Sequence, residues 1–328
     1  MRRRQFITML GGAAVTWPLV ARAQQQALSV VGFLHSGAAS TNAHLVDAFR
    51  RGLAEAGYVE GRNVTIDYRW AEGHYERLAE LAAELVRRPV AAIVGGAPPA
   101  ARAAKAATTT IPVVFVSGDD PIESGLVDTL NRPGGNITGI SVFSGSQLGA
   151  KHVELLHALL PAAAAIALLV NPTNATQTEA QTQQTEAAAH RVGLRLHVLN
   201  ASTASDFEKV FTMLAEQRVD ALIVGGDPFF TSQRERLVAR AARQALPVVY
   251  NLREFVAAGG LMSYGSSIMD GYQQAGVYTG RILQGVKPSD LPVMRPMRFE
   301  LVLNRRTAQA LGITFPPALL VLADEVIQ

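Results

Sequence analysis

Ala91-Ala-Ile-Val-Gly-Gly-Ala-Pro98 and Ala221-Leu-Ile-Val-Gly-Gly-Asp-Pro228 decide the fold. Each is a short apolar run that ends on two glycines and a proline. The run reads as a buried strand, and the proline suits the first position of a following helix. Other landmarks recur at nearly the same spacing. Ile111-Pro-Val-Val114 is echoed by Leu246-Pro-Val-Val249, Gly57 by Gly193, and the strand through Leu34 by Ile166-Ala-Leu-Leu-Val170, at offsets of about 130 to 136 residues. A pattern that repeats once, with continuous apolar strands between helical stretches, predicts parallel sheets covered on both faces.

The segments around these landmarks fill in each copy. Leu28–Leu34, Val64–Trp70, Val90–Val94 and Pro112–Val116 read as strands; Ala43–Ala56, stopped by Gly57, and Tyr75–Arg88 read as helices. The fold class is therefore α/β, with two similar doubly wound parallel-sheet lobes joined by a hinge. Gly134-Gly135-Asn136 reads as a turn ahead of Ile137–Val142 between the lobes, Gly259–Gly265 as a second crossing and the stretch near Pro296–Leu303 as a third. This places residues 28–141 plus 264–290 in lobe 1 and residues 142–263 plus 291–328 in lobe 2. Two lobes joined by several crossings form a hinged cleft.

Ligands of open α/β sheets sit beyond the carboxyl ends of the strands, where free helix N–H groups favour anionic atoms. The residues at these ends are small and polar. They make Ser36 and Gly37, Gly96, Ala97 and Pro98, and Ser117, Asp119 and Asp120 the lobe 1 candidates for ligand contact. In lobe 2 the candidates are Asn171, Asn174, Asp227, Tyr250 and, in the second crossing, Tyr264. A structural reading stands beside the functional one. Ser36, Ser40, Asn171, Asn174 and Asp120 are all residue types that cap helices. Asp227 replaces the Ala97 of the first copy, so the repeat does not itself require an acid there; it either caps a helix or pairs with a ligand ammonium. Phe229 and Phe230 offer an aromatic wall or core packing, and His35 and Trp70 read as structural.

The N-terminus reads as an export label. Arg2, Arg3 and Arg4 precede the apolar run Ile7–Val20, and Ala21-Arg22-Ala23 fits a small-x-small cleavage pattern, so residues 1–23 are expected to be removed. Arg3-Arg4-Gln5-Phe6-Ile7 resembles the twin-arginine motif, the alternative being the general secretory route. The run is shorter than the roughly 18–20 residues of a spanning helix. The chain has 30 Lys+Arg against 27 Asp+Glu. Four of those arginines belong to the label, which leaves 26 basic residues against 27 acidic ones. The basic footprint of a nucleic-acid binder is absent. With no cysteine in the chain, a lipid anchor, thiolate metal sites and a cysteine nucleophile are excluded. The expectation is a periplasmic, monomeric protein that is not membrane-anchored and needs no cofactor or metal.

Three segments point to a family. Asn131-Arg-Pro-Gly-Gly-Asn-Ile-Thr-Gly139, Gly259-Gly-Leu-Met-Ser-Tyr-Gly265 and Ala323-Asp-Glu-Val326 resemble the ABC transporter substrate-binding family that includes the tryptophan-binding TrpX-type proteins. The resemblance spans essentially the whole chain after the label. It implies the type I periplasmic-binding-protein fold, an ABC permease and its cytoplasmic ATPase as partners, and an aromatic amino acid as ligand. It also implies a site made from the turn after the first strand, residues 96–98, Asp120-Pro121, the turn at 171–174 and Asp227. Ser36-Gly37-Ala38 and Gly118-Asp119 depart from the TrpX pattern, which leaves the solute open between an amino acid and a related molecule.

Rival functions lack their residues. There is no Gly-x-Ser-x-Gly elbow and no His-Glu-x-x-His, and His152 and His157 are five apart on one helix, the wrong spacing to share a metal. There is no Gly-x-Gly-x-x-Gly and no phosphate-binding loop. An enzyme is therefore not expected. The remaining alternative is a soluble periplasmic sensor that docks onto a separate membrane receptor.

Overall fold

A computed structural model describes residues 28–142, 148–295 and 298–328. The export label lies outside the described residues. Among those described, no helix is long and apolar enough to cross a membrane, and no group of three His, Cys, Asp or Glu is placed to hold a metal ion.

Lobe 1 runs β1 (Ser29–His35), α1 (Ala39–Glu55), β2 (Val64–Trp70), α2 (Leu78–Val86), β3 (Val90–Gly96), α3 (Pro98–Ala107), β4 (Val113–Ser117) and β5 (Ile137–Ser141). Its sheet has the order β2-β1-β3-β4-β5, all parallel. The chain then enters lobe 2 through α4 (Leu148–Leu159), β6 (Ala165–Val170), α5 (Ala175–Arg191), β7 (Arg195–Asn200), α6 (Asp206–Glu216) and β8 (Ala221–Val224). It continues through α7 (Pro228–Ser232), α8 (Arg234–Arg243), β9 (Val248–Tyr250), α9 (Arg253–Ala257) and β10 (Met262–Gly265). The long helix α10 (Ile268–Leu283) returns to lobe 1 and packs on α1. The chain ends in lobe 2 with β11 (Glu300–Asn304), α11 (Arg305–Ala310), α12 (Pro317–Leu322) and β12 (Glu325–Ile327). The second sheet has the order β12-β11-β10-β9-β8-β6-β7, with only the β10–β11 pair antiparallel.

The repeat read from the sequence is a repeat of topology. Both lobes place their strands in the order 2-1-3-4-5, and lobe 2 adds two strands at its far edge. The strands read as unbroken apolar runs because neighbours on one strand serve opposite faces. Leu222 and Val224 pack with Phe207, Val210 and Leu237 on one side of the second sheet, while Ala221 and Ile223 pack with Val153, Leu156 and Ala189 on the other.

Glycines fix how α10 rejoins lobe 1. A Cβ at Gly52 would overlap the carbonyl oxygen of Gln273, and one at Gly276 would overlap that of Phe49. Mid-helix glycine is costly on its own account, so its presence on both faces of this contact marks a backbone-to-backbone approach.

The structure moves two lobe boundaries away from their expected places. Tyr264 and Gly265 pair with β11 and so belong to the second sheet; the crossing follows at Ser266–Ser267. Residues 291–294 stay with lobe 1: Thr138 Oγ1 donates to the Leu291 carbonyl and Met294 bridges to Ile140. The reason is register. Each segment completes the ladder of the sheet it is leaving before it crosses. Helix α1 also starts earlier than its apolar spacing indicates, because Asn42 (φ −121°, ψ 15°) sets its first turn apart from the regular helix that follows.

Candidate functional site

In each lobe the strand order reverses between the first and third strands, and their connections diverge to opposite faces of the sheet. A crevice opens at such a point. In lobe 1 it lies between the end of β1 (His35, Ser36) and the end of β3 (Gly96, Ala97). In lobe 2 it lies between Asn171, after β6, and Asp227, after β8. The two crevices face each other. The Tyr75 hydroxyl of lobe 1 donates to Asp227 Oδ1 of lobe 2 at 2.8 Å, and Arg102 Nη2 donates to Asn174 Oδ1 at 2.6 Å.

Asp227 is the polar hub. It is the N-cap of α7 and takes the Phe229 N–H on Oδ1 at 2.9 Å. The same oxygen accepts from Asn171 Nδ2 at 2.9 Å, and Oδ2 accepts from Asn174 Nδ2 at 3.1 Å. Burial pushes its carboxyl above the usual carboxylate range, and the donors from Asn171, Asn174 and Tyr75 pull it back. A carboxylate has about four acceptor positions; Oδ1 is crowded, whereas Oδ2 keeps capacity for a further donor.

Between the lobes lies a cavity. Its apolar wall is made by Leu45, Val116, Val142, Leu252, Ile268 and Tyr272, and Asp227 and Asn251 stand on the lobe 2 side. His35 closes the lobe 1 end. Its Nδ1 accepts from the Gly37 N–H at 2.8 Å, and burial pushes the imidazole down to about 3, so the ring is neutral with its proton on Nε2. Trp70 and Tyr272 pack against it, with ring centroids at 5.1 and 6.0 Å.

Four buried side-chain polar atoms among the described residues have no hydrogen-bond partner: Ser36 Oγ, Asp119 Oδ1, Asn251 Oδ1 and His157 Nδ1. Three of the four stand at strand ends around the cleft. Buried polar atoms are nearly always paired, so their clustering here points to a partner that the protein itself does not supply.

A family model described as "ABC transporter substrate binding protein" matches residues 33–327. The chain belongs to this family of ABC transporter substrate-binding proteins. It is similar to a tyrosine-binding protein of Clostridioides difficile (strain R20291), 27% identical over 265 residues that make up 81% of this chain and 75% of that one. It is also similar to the ABC domain crystallised in complex with L-Trp from Streptococcus pneumonia, at 29% identity and a TM-score of 0.83, covering 92% of this chain and 100% of that one. A leucine binding protein of Thermotoga maritima shares the fold alone, at 15% identity and a TM-score of 0.54 over 72% of this chain and 69% of that one. The fold is that of the type I periplasmic binding proteins.

Within this substrate-binding protein, the structure brings most of the sequence candidates to the cleft. Ala97, Pro98 and Asp227 line the cavity. Ser36, Gly37, Gly96 and Ser117 form the floor behind it: the Ser36 N–H meets the Gly96 carbonyl at 3.4 Å, and Ser117 Oγ accepts from the Asp119 N–H at 3.1 Å. Asn171 and Asn174 do not cap helices; their side chains hold Asp227. Asp119 is paired with Arg102 through Oδ2 at 2.5 Å. Asp120 caps no helix; it closes the turn that follows, accepting from the Ile122 and Glu123 N–H groups.

Tyr250 and Tyr264 turn away from the cleft. The Tyr250 ring is buried against Phe255, 4.6 Å between centroids, because the strand alternates and sends its neighbour Asn251 to the cleft instead. Tyr264 stacks on Phe299 at 5.7 Å, and its carbonyl accepts from His152 Nε2 at 2.8 Å. Phe229 and Phe230 are both buried around Phe207 and form core. Sequence reading missed Tyr75, Arg102, Asn42, Gln177 and Tyr272. All sit on helices or turns whose relation to the cleft depends on how the two lobes meet, and nothing local in the chain reports that.

Proposed function

We propose that the protein is the extracytoplasmic solute-binding component of an ABC importer, and that it captures an amino acid, aromatic by preference, between its two lobes. The observation that carries the reading is the lining of the interlobe cavity, apolar on one wall and bounded on the other by the Asp227 carboxylate and the unpartnered Asn251 Oδ1. Relatives that bind tyrosine and L-Trp support the same choice.

In this reading Leu45, Ile268, Leu252 and Tyr272 pack on the solute's side chain. Its ammonium donates to Asn251 Oδ1 and to the remaining acceptor position of Asp227 Oδ2. Its carboxylate lies toward Ser36 Oγ and the N–H groups that open α1 at Ala39-Ser40-Thr41. Helix α3 is a poorer partner, because it opens with Pro98 and Pro99, which have no N–H. Among the described residues the lobes meet at the crossing Ser266–Ser267, about which they hinge. Solute that touches both lobes favours the closed arrangement, and the closed pair of lobe surfaces docks on a permease driven by a cytoplasmic ATPase. Export through the leader places the protein in the periplasm.

The test is a thermal-shift and calorimetric panel on residues 24–328 with L-tryptophan, L-tyrosine, L-phenylalanine, aliphatic amino acids, aromatic acids and sugars. A ligand specific to the folded state adds about 2.7 kcal/mol at 100 times its dissociation constant. A shift with the aromatic amino acids, and affinity reduced more than tenfold by Asp227→Asn, is the expected result. A response to aromatic acids alone overturns the amino-acid reading, and an unchanged affinity in Asp227→Asn removes that carboxylate from the site.

A further inference from the structure

A second interlobe cavity adjoins the first. Gly118, Gln177 and Gly226 wall both. Two of these three are glycines, and Gln177 is the side chain that the two walls share. The second cavity differs sharply in chemistry. Asp119, Asp120 and Glu123 line it from lobe 1, Gln181 and Gln184 from lobe 2, and no lysine or arginine takes part. His152, also in its wall, is neutral, because burial holds its imidazole down at about 4. The cations nearest its acids are already engaged: Arg102 pairs with Asp119 Oδ2 and Asn174, and Arg295 stands 3.9 Å from Asp120.

Asp119 is the feature that points to a ligand. Its side chain is 4% exposed, and Oδ1 has no partner. An ionised carboxylate accepts on both oxygens; here one oxygen is held by the protein and the other is left in the wall of an acidic cavity. Burial raises this carboxyl to about 6 against the opposing pull of Arg102, so it is charged at neutral pH. A positively charged donor at Oδ1 compensates that burial, and the Glu123 carboxylate on the rim adds to the attraction.

We infer that the solute extends from the apolar cavity past Gly118 and Gly226 into the acidic one, and that it ends there in an amine or guanidinium group bound by Asp119. This rests on the interlobe cleft being the solute site, as proposed above, and it extends that reading from an aromatic amino acid alone to one that carries a cationic extension.

Calorimetry on wild type and Asp119→Asn tests it with L-phenylalanine, the dipeptide Phe-Lys, its uncharged analogue Phe-norleucine, and the aliphatic amines agmatine and cadaverine. Asp119→Asn keeps the side-chain shape and removes a buried charge, and circular dichroism confirms folding. Glu123→Gln, on the exposed rim, supplies a second variant that does not touch the core. The expected result is Phe-Lys bound at least tenfold tighter than Phe-norleucine, a preference lost in Asp119→Asn and reduced severalfold in Glu123→Gln. Equal affinities for the two dipeptides, or a preference that survives Asp119→Asn, overturns the inference while phenylalanine binding keeps the amino-acid reading. Binding of the amines without phenylalanine does the reverse. Silence across all five probes sinks both.

Discussion

Tyr75→Phe isolates one of the contacts that join the lobes. The Tyr75 hydroxyl is the donor that lobe 1 gives to Asp227, at 2.8 Å. Removing it leaves Asp227 with Asn171, Asn174 and the Phe229 N–H, so no buried charge is stranded and each lobe keeps its own bonds. The loss falls on closure alone. A hydrogen bond to a charged group is worth about 1.5–3 kcal/mol. Because solute bridges the lobes only when they meet, that loss passes into the apparent dissociation constant, which rises about 10- to 150-fold at about 1.4 kcal/mol per decade. Tyr68→Phe is the control, since its hydroxyl donates to Glu60 within lobe 1 at 3.2 Å; it leaves affinity unchanged. L-tryptophan titration by calorimetry reads the effect, and Trp70, packed on His35 at the cavity end, offers a fluorescence signal when L-phenylalanine is the titrant. Small-angle scattering reads the lobes directly, with a larger radius of gyration for Tyr75→Phe without solute. An affinity within twofold of wild type, together with unchanged scattering, refutes the closure argument.

Two further outcomes follow from packing and charge. His152 is buried and neutral, with its imidazole held down at about 4 against an ordinary 6.5. Below 6.5 the unfolded chain therefore binds a proton that the folded chain refuses until about pH 4, so stability falls as pH drops through that window, by about 2 kcal/mol between pH 7 and pH 5. His152→Gln, which keeps a donor for the Tyr264 carbonyl, flattens the pH dependence of urea unfolding by that amount; parallel curves for the two proteins count against it. Asp119 and Asp227, both raised, slope the other way and cancel in this comparison. Gly276→Ala forces a methyl against the Phe49 carbonyl and costs about 1–3 kcal/mol or more as α10 lifts from α1, seen as a lower midpoint in thermal unfolding; a midpoint within 1 °C of wild type shows that the helices separate freely.

Most of the architecture was legible because it rests on local signals. Apolar runs gave the strands of both lobes, Gly57 and Gly193 gave helix ends, and the spacing of Gly-Gly-x-Pro gave the duplication. The site was legible down to its loops and less so in its side chains. Asn171, Asn174 and Asp227 converge because they share the switch point of one lobe, a property of strand order alone. Tyr75 and Arg102 reach across from the other lobe, and their partners are 152 and 72 residues away. Tyr250 was assigned to the cleft in place of Asn251 because a one-residue shift along a strand inverts the side chain, and the short β9 gives no alternation to settle it.

The two copies of the repeat divide their roles at the residue between the glycines and the proline. Strand, two glycines, one residue and a proline occur in both lobes, and the variable residue is Ala97 in one and Asp227 in the other. Ala97 sits at φ +78°, ψ 155°, a region that residues with a side chain avoid. Its N–H bonds the Val116 carbonyl at 2.9 Å while its methyl stays small beside the cavity. Asp227 is relaxed at φ −150°, ψ 140°, and spends its side chain on four donors, one from the facing lobe. The first copy keeps the wall low and tolerates backbone strain; the second leaves the backbone easy and carries the charge. Duplication accounts for the shape of the cleft, and the divergence at Ala97 and Asp227 gives it a polar end. A solute that fits must therefore be as asymmetric as the pair of turns that hold it.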